Sequence, residues 1–378
     1  MTAEKPASKG GLEGVQVANS AISKINGKEG RLRYRGYLIK DLADASSFVE
    51  TSWLLWHGEL PTAAQLEGLN QELVAARALP EQTMAALRAA GTHQGPMDAL
   101  RTAVSSMDGD EVPGPDTDAE CNLRRACLLT ARMPTAVAAY QRLRSGEEPI
   151  EPRPDLDHAS NFLYMLNGDV PDEESSRIMD VCLVLHAEHG FNASTFSARV
   201  TAATLSDMYS AITSAIGTLK GPLHGGANTA VMNMLLEMGD ESEVEPYLKQ
   251  ALTNRERIMG FGHRVYKVID PRALILKDFA RRLGEIHGDS KWFRLSEKLE
   301  EQMKKAKGID VNVDFYSAST YYSLGIPPDL FTCLFAISRV VGWTAHVMEQ
   351  HANNRLIRPR SNWVGAEPRD YVAITDRG

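Results

Sequence analysis

Residues 47–61, SFVETSWLLWHGELP, read as one capped helix and set the fold class for the chain around them. Ser47 offers a side-chain oxygen to the first free amides, Glu50 stands three residues on, and Gly58 and Pro61 act as a stop. Helical signals of this kind recur over nearly all that follows. After Pro271, the residues Ala273, Leu274, Leu276, Phe279, Ala280, Leu283 and Ile286 keep helical spacing behind a proline at the first position. Trp292, Leu295, Leu299 and Met303 form a second stripe on a charged surface helix. Toward the N-terminus the period changes: residues 14–37 alternate apolar and polar positions around Asn26-Gly27, which predicts a small β-hairpin. The expected fold is all-α with that hairpin at its N-terminal end.

With 378 residues, the chain can build one large core or two lobes with a cleft between them. Hydrophobic residues make up 43% and charged residues 24%, which argues for a folded enzyme over a disordered chain. A net charge of −8 disfavours nucleic acid and anionic membranes as partners, so an anionic substrate must meet a local basic site. The longest apolar stretches are broken early, residues 330–338 by Arg339, and no membrane span is expected. The start, MTAEKPASKGGLEG, lacks an apolar signal segment, and a cytoplasmic protein is expected. Cys121, Cys127, Cys182 and Cys333 show no CxxC pairing, so free thiols are expected, with neither disulfide nor zinc knuckle. Residues 109–118 and 146–157 punctuate the chain as loops, and residues 354–378 lack helical periodicity and read as an extended arm suited to packing on a partner subunit.

Four of the ten histidines lie in three glycine-punctuated settings: LHAEHGFNAS at 185–194, GPLHGGAN at 221–228 and GFGHRVYK at 260–267. Glycines beside His224 let a ligand approach backbone and imidazole together, and a helix begins just beyond, whose dipole disfavours the protonated ring. A neutral imidazole there can donate to a developing oxyanion; the alternative is a glycine-rich structural turn with an incidental histidine. His263 follows Gly260 and Gly262, with Arg264, Lys267 and Arg272 close by, an arrangement able to hold an anion and a carbonyl; an exposed basic turn fits equally well. GFGH lacks the third glycine of a dinucleotide fingerprint. His186 and His189, three apart on an expected helix, form only an HxxH pair without HExxH, and His186 reads as a packing histidine. Asp314, between Val313 and Phe315, reads as a desolvated general base or as a helix cap. Arg339 interrupts an apolar helix, where its charge needs either a substrate carboxylate or an internal acid.

Taken in order, LHAEHGFNAST, GPLHGGAN, GFGHRVYKVIDPR, NVDFYSAS, ISRVVGW and RLIRPR resemble the citrate synthase family in its shorter prokaryotic form. The similarity runs from RLRYRGYLIKDLA at 31–43 to SNWVG at 361–365, nearly the whole chain. It implies condensation of acetyl-CoA with oxaloacetate and water to citrate and CoA through an enol and citryl-CoA. Asp314 would remove the methyl proton, His224 would hydrogen-bond the thioester oxygen, and His263 would polarise the keto oxygen. His189, Arg272, Arg339 and Arg358 would bind carboxylates, with Arg358 supplied by the neighbouring subunit of a homodimer that can form higher oligomers. Gly260, Gly262, Lys267, Lys305, Lys307 and Asn312 would lie on the CoA side; Lys267 stands where the family can carry an arginine. No metal and no permanently bound cofactor is implied, acetyl-CoA being a cosubstrate. The implied organisation is a large domain from residues 1–221 and 326–378 and a small domain from 222–325, with oxaloacetate binding first. A 2-methylcitrate synthase using propionyl-CoA is the alternative, since one methylene is worth only about 1–3 kcal/mol. A non-catalytic CoA-binding or assembly protein, and then a metallohydrolase, stand further off.

Overall fold

The computed structural model describes residues 11–12, 14–107, 112–263 and 265–378. The first ten residues, part of the acid-rich loop at 109–118, and Arg264 lie outside the described residues. The described residues form sixteen α-helices and one antiparallel sheet of three strands, β1 (Ser23–Asn26), β2 (Arg31–Tyr34) and β3 (Tyr37–Leu38), in that spatial order. Ser23 lies opposite Tyr34 and Asn26 opposite Arg31, so four residues close the hairpin. The pairing is shorter than the alternation over 14–37 predicts, and it gains a third strand. Residues 14–21 have no strand beside them, and Val15 and Val17 stay exposed, so alternation there finds no surface to bury against.

The capped helix of the opening stretch is Phe48–His57. Ser47 Oγ accepts from the Glu50 amide at 3.1 Å, and Gly58 adopts a left-handed conformation (φ 91°) at the other end. Pro271–Ile286 begins at its proline with Asp270 as cap, and Lys291–Lys307 buries Leu295, Leu299 and Met303. Ala227–Met238, Val244–Thr253, Pro271–Ile286, Lys291–Lys307 and Val313–Ser323 pack largely on one another.

Phe331–Ala352 runs through the middle of the remaining helices, against Phe48–His57, Ala119–Arg144, Glu173–His186, Ala193–Ala202 and Met208–Leu219. It corrects the reading that Arg339 breaks the apolar run early. Pro328–Ala352 is a 25-residue span apolar enough to cross a membrane by length and composition, and 94% of its apolar window is buried inside the protein. The helix tolerates Arg339 because Nε donates to the His186 carbonyl at 2.6 Å and the guanidinium lies 4.5 Å from the centre of the Phe335 ring. All four cysteines are free. Beyond Asn354 the chain is irregular apart from a turn at Ile374–Asp376, and Leu356, Trp363, Val364, Tyr371 and Ile374 are exposed on it.

Candidate active site

Helix Glu173–His186 ends before His189, which sits in a turn closed by Gly190 (φ 61°). His186 and His189 therefore do not share a helix, because the chain must leave helical conformation to reach Asn192, the cap of Ala193–Ala202. His186 is buried, its Nδ1 donating to the Cys182 carbonyl at 2.8 Å, and burial pushes its pKa down to about 3. It is a packing histidine. His189 has its Nε2 3.2 Å from the Tyr266 hydroxyl and its ring 5.6 Å from that of His263. Burial, then Arg272 and Arg339, hold it neutral well below the usual histidine range.

His224 is half-buried, three residues before helix Ala227–Met238. The Ser194 amide donates to its Nε2 at 3.2 Å, and Ser194 Oγ is 2.8 Å from the same nitrogen. That network assigns the ring proton to Nδ1. Ser194 is held in turn by Trp343 Nε1, which donates to Oγ at 3.1 Å, and by Asn192 Oδ1, which accepts at 2.8 Å. Burial and then Arg339 lower the pKa of His224 to about 4. Gly225 has no room for a side chain, since a Cβ would stand 2.2 Å from the Leu219 carbonyl.

The GFGH loop is fastened to the segment that leads into helix Val313–Ser323. Phe261 bridges to Val311, the Asn312 amide donates to the Gly260 carbonyl at 2.9 Å, the Gly262 amide donates to Asp310 at 2.9 Å, and Asn312 Nδ2 donates to the Gly262 carbonyl at 2.8 Å. Gly260 (φ 84°) packs so closely that a Cβ would meet Phe315 at 2.7 Å. His263 Nδ1 accepts from the amides of Val265 and Tyr266 at 2.9 and 3.1 Å, which leaves the proton on Nε2. Burial and then Arg272 take its pKa to about 4.

The same fastening brings Asp314 to the site in the first turn of Val313–Ser323. The cap is Asn312, whose Oδ1 accepts from the Asp314 amide at 3.0 Å, so the capping reading passes to its neighbour. The Asp314 carboxylate takes no hydrogen bond among the described residues. Burial raises its pKa to about 6, against the pull of Arg272.

Two buried guanidiniums differ in their partners. Arg272 is gripped by Asp270 through Nε at 3.0 Å and Nη2 at 2.8 Å; burial opposes its charge, but Asp270 holds its pKa above the usual value. Arg339 forms no ion pair among the described residues, and burial lowers its pKa to about 10, with Glu188 acting against the fall. Its fork is therefore open to a carboxylate. Lys305, Lys307 and Lys267 are exposed. Arg358 is exposed on the C-terminal arm and makes no hydrogen bond or ion pair among the described residues.

Tyr266, Ser194 and Asp270 are site residues that the sequence does not single out, and Glu188 stands in it only as a candidate metal ligand beside His186 and His189. Asp270 carries a signal, an acid before proline with arginine next, which marks both a cap and a paired guanidinium. Ser194 and Glu188 carry none, because their partners are His224, His346 and Ser23, all distant in the chain.

The family model for the citrate synthase C-terminal domain matches residues 11–360. A citrate synthase of Haloferax volcanii is 52% identical over 98% of this chain and 99% of its own length. A 2-methylcitrate synthase of Mycobacterium tuberculosis is 44% identical over 97% of this chain and 93% of its own. Among solved structures, citrate synthase of Thermoplasma acidophilum, in a ternary complex with carboxymethyl coenzyme A and oxaloacetate, superposes with a TM-score of 0.90 at 35% identity, covering 97% of this chain and 98% of that one.

Proposed function

This chain belongs to the citrate synthase family, enzymes that transfer an acyl group, and from that premise we propose that Asp314, His224 and His263 divide its condensation chemistry between them. The substrates are acetyl-CoA and oxaloacetate and the products citrate and CoA. The observation that carries the division is the placing of protons: two neutral histidines with assigned donors, and one carboxylate with no hydrogen-bond partner and a pKa near 6.

The Asp314 carboxylate takes a proton from the acetyl methyl group, and the electron pair moves onto the thioester oxygen, which His224 Nδ1–H faces as a donor. The enol carbon then forms a bond to the keto carbon of oxaloacetate. The keto oxygen, met by His263 Nε2–H as its charge develops, takes up a proton to become the citryl hydroxyl, balancing the one that Asp314 removed from the methyl group. Water cleaves the citryl thioester, releasing citrate and CoA. The oxaloacetate carboxylates fall to Arg339, with its open fork, to Arg272 and to His189, since planar guanidinium matches carboxylate in two parallel hydrogen bonds.

Lys267, Lys305 and Lys307 supply exposed charge for the CoA phosphates, and Gly260, Gly262 and Asn312 shape that side of the site. The region 222–325 acts as a small domain against 1–221 and 326–378, and closure with oxaloacetate bound excludes water until condensation is complete. The working form is a cytoplasmic homodimer. Support comes from the exposed apolar arm beyond Asn354, from Arg358 lying exposed on it, and from four free thiols that suit a reducing compartment.

Thiol release with oxaloacetate and either acetyl-CoA or propionyl-CoA tests the reading. Asp314→Asn lowers release with both by about 10²–10⁴-fold; wild-type rates in that variant sink the mechanism, and a preference for propionyl-CoA moves the reading to 2-methylcitrate.

A further inference from the structure

The hairpin touches both histidine loops of the keto-acid pocket, although those loops are far apart in the chain. At its start, Ser23 Oγ donates to Glu188 Oε1 at 2.9 Å and accepts from the Gly190 amide at 3.2 Å, on either side of His189. Tyr34 on β2 adds to this grip, its hydroxyl donating to the Glu188 carbonyl at 2.8 Å and accepting from the Glu188 amide at 3.1 Å. At the far end, the Lys267 amide donates to the Gly27 carbonyl at 2.8 Å. The turn also presses on the loop: a Cβ on Gly27 would stand 2.2 Å from the Val265 carbonyl oxygen, and one on Gly30 would stand 2.9 Å from Val268 Cγ2. Between these contacts, Tyr266 has its hydroxyl on His189 and its amide on His263.

We propose that the N-terminal hairpin is a positioning element of this pocket, whose 27–30 turn holds the His263 loop in register with His189. The proposal rests on the reading that these histidines serve oxaloacetate. Physically, the loop exposes Val265 and Val268 and buries Tyr266 and Asp270. Its registry with His189 is fixed through the Tyr266 hydroxyl and through the hairpin. A displacement on the order of 1 Å at such a site can lower the rate about a hundredfold. The hairpin is a positioning group, since it reaches the substrate only through the two loops.

Gly27→Ala is a direct probe, because Gly27 does not have a positive φ and the three atoms nearest to an added Cβ all belong to Val265. Calorimetric titration of the full-length variant with oxaloacetate should show affinity about tenfold weaker in protein that still unfolds cooperatively. Wild-type oxaloacetate affinity in this variant overturns the proposal, provided Arg339→Ala binds oxaloacetate poorly in parallel. Wild-type affinity in Arg339→Ala overturns the site reading itself and the hairpin proposal with it. A measurement on the unaltered protein covers the case in which Gly27→Ala does not fold: oxaloacetate should slow amide exchange in residues 23–34 and 265–269 together. No change in the first segment overturns the proposal.

Discussion

His224 and His263 share an electrostatic setting and differ in tautomer. Burial and a nearby arginine take both to a pKa of about 4. Yet His224 accepts through Nε2 and carries its proton on Nδ1, while His263 accepts through Nδ1 and carries its proton on Nε2. The cause is the origin of the donating amide. For His263 it comes from residues two and three positions on, so its own loop sets the tautomer. For His224, in a turn, it comes from Ser194, thirty residues away on helix Ala193–Ala202. One donor is a local property and the other a tertiary one, so the two should fail differently when their surroundings change.

The largest effect expected is on Asp314, the proposed base. Asp314→Asn should lower turnover in the thiol-release assay by about 10²–10⁴-fold. The pH profile follows from the raised pKa: kcat/KM for acetyl-CoA should rise through about pH 6 as Asp314 ionises. Neither histidine titrates in that range, so a limb near pH 6 that survives in the variant would assign it elsewhere. Stability moves the other way. Folding favours the protonated carboxyl, so the associated stability is complete below the unfolded value near 3.9 and is lost as pH rises through about 6. At pH 7, Asp314→Asn should therefore stabilise the fold, by about 2 kcal/mol or less given the partial exposure of the group, which a higher thermal midpoint would report.

Next come the donors themselves. His224→Ala and His263→Ala should each lower kcat by about 10²–10³-fold, as removal of one oxyanion donor does elsewhere. Steady-state kinetics separate them, since the His263 change should also raise KM for oxaloacetate. The arginines extend the contrast to stability. Arg272→Ala leaves Asp270 buried without its partner and should destabilise the protein by about 3–5 kcal/mol in chemical denaturation. Arg339→Ala, which breaks no ion pair among the described residues, should weaken oxaloacetate binding with a much smaller stability change. Equal destabilisation by both would remove the distinction between an occupied and an open fork.

The smallest effect should fall on Ser194→Ala. It removes the hydroxyl but keeps the amide that fixes the His224 tautomer, so kcat should fall only several-fold, in line with the ring losing one of its two contacts to Ser194, a neutral hydrogen bond of about 1 kcal/mol. A loss as great as that of His224→Ala would show that the hydroxyl, and not the amide, orients the ring.

Much of this protein was legible before any tertiary structure. The helix Phe48–His57 and its Ser47 cap, and the helix beginning at Pro271, follow from side chains that satisfy backbone groups three or four residues away. The ordered motifs around His224, His263 and Asp314 carried the family resemblance, and their glycines marked close approach. Legibility failed wherever the partner was distant or the environment decided the outcome. His189 was placed on a helix that ends at His186. Arg339 reads as a break in an apolar run, yet that run is the central buried helix. Asp314 read as a cap or a base until Asn312 was seen to take the capping bond.

The sequence by itself determined the helical elements, the hairpin turn and the residue types available for acid–base chemistry, because these depend on backbone preferences and spacing over a few residues. Only the tertiary structure decided which nitrogen of His224 carries the proton, that Arg272 is held by a carboxylate while the Arg339 fork is open, and that Asp314 is desolvated to a pKa near 6. Those properties are sums over burial and charges brought together from distant parts of the chain, and no local pattern encodes that sum.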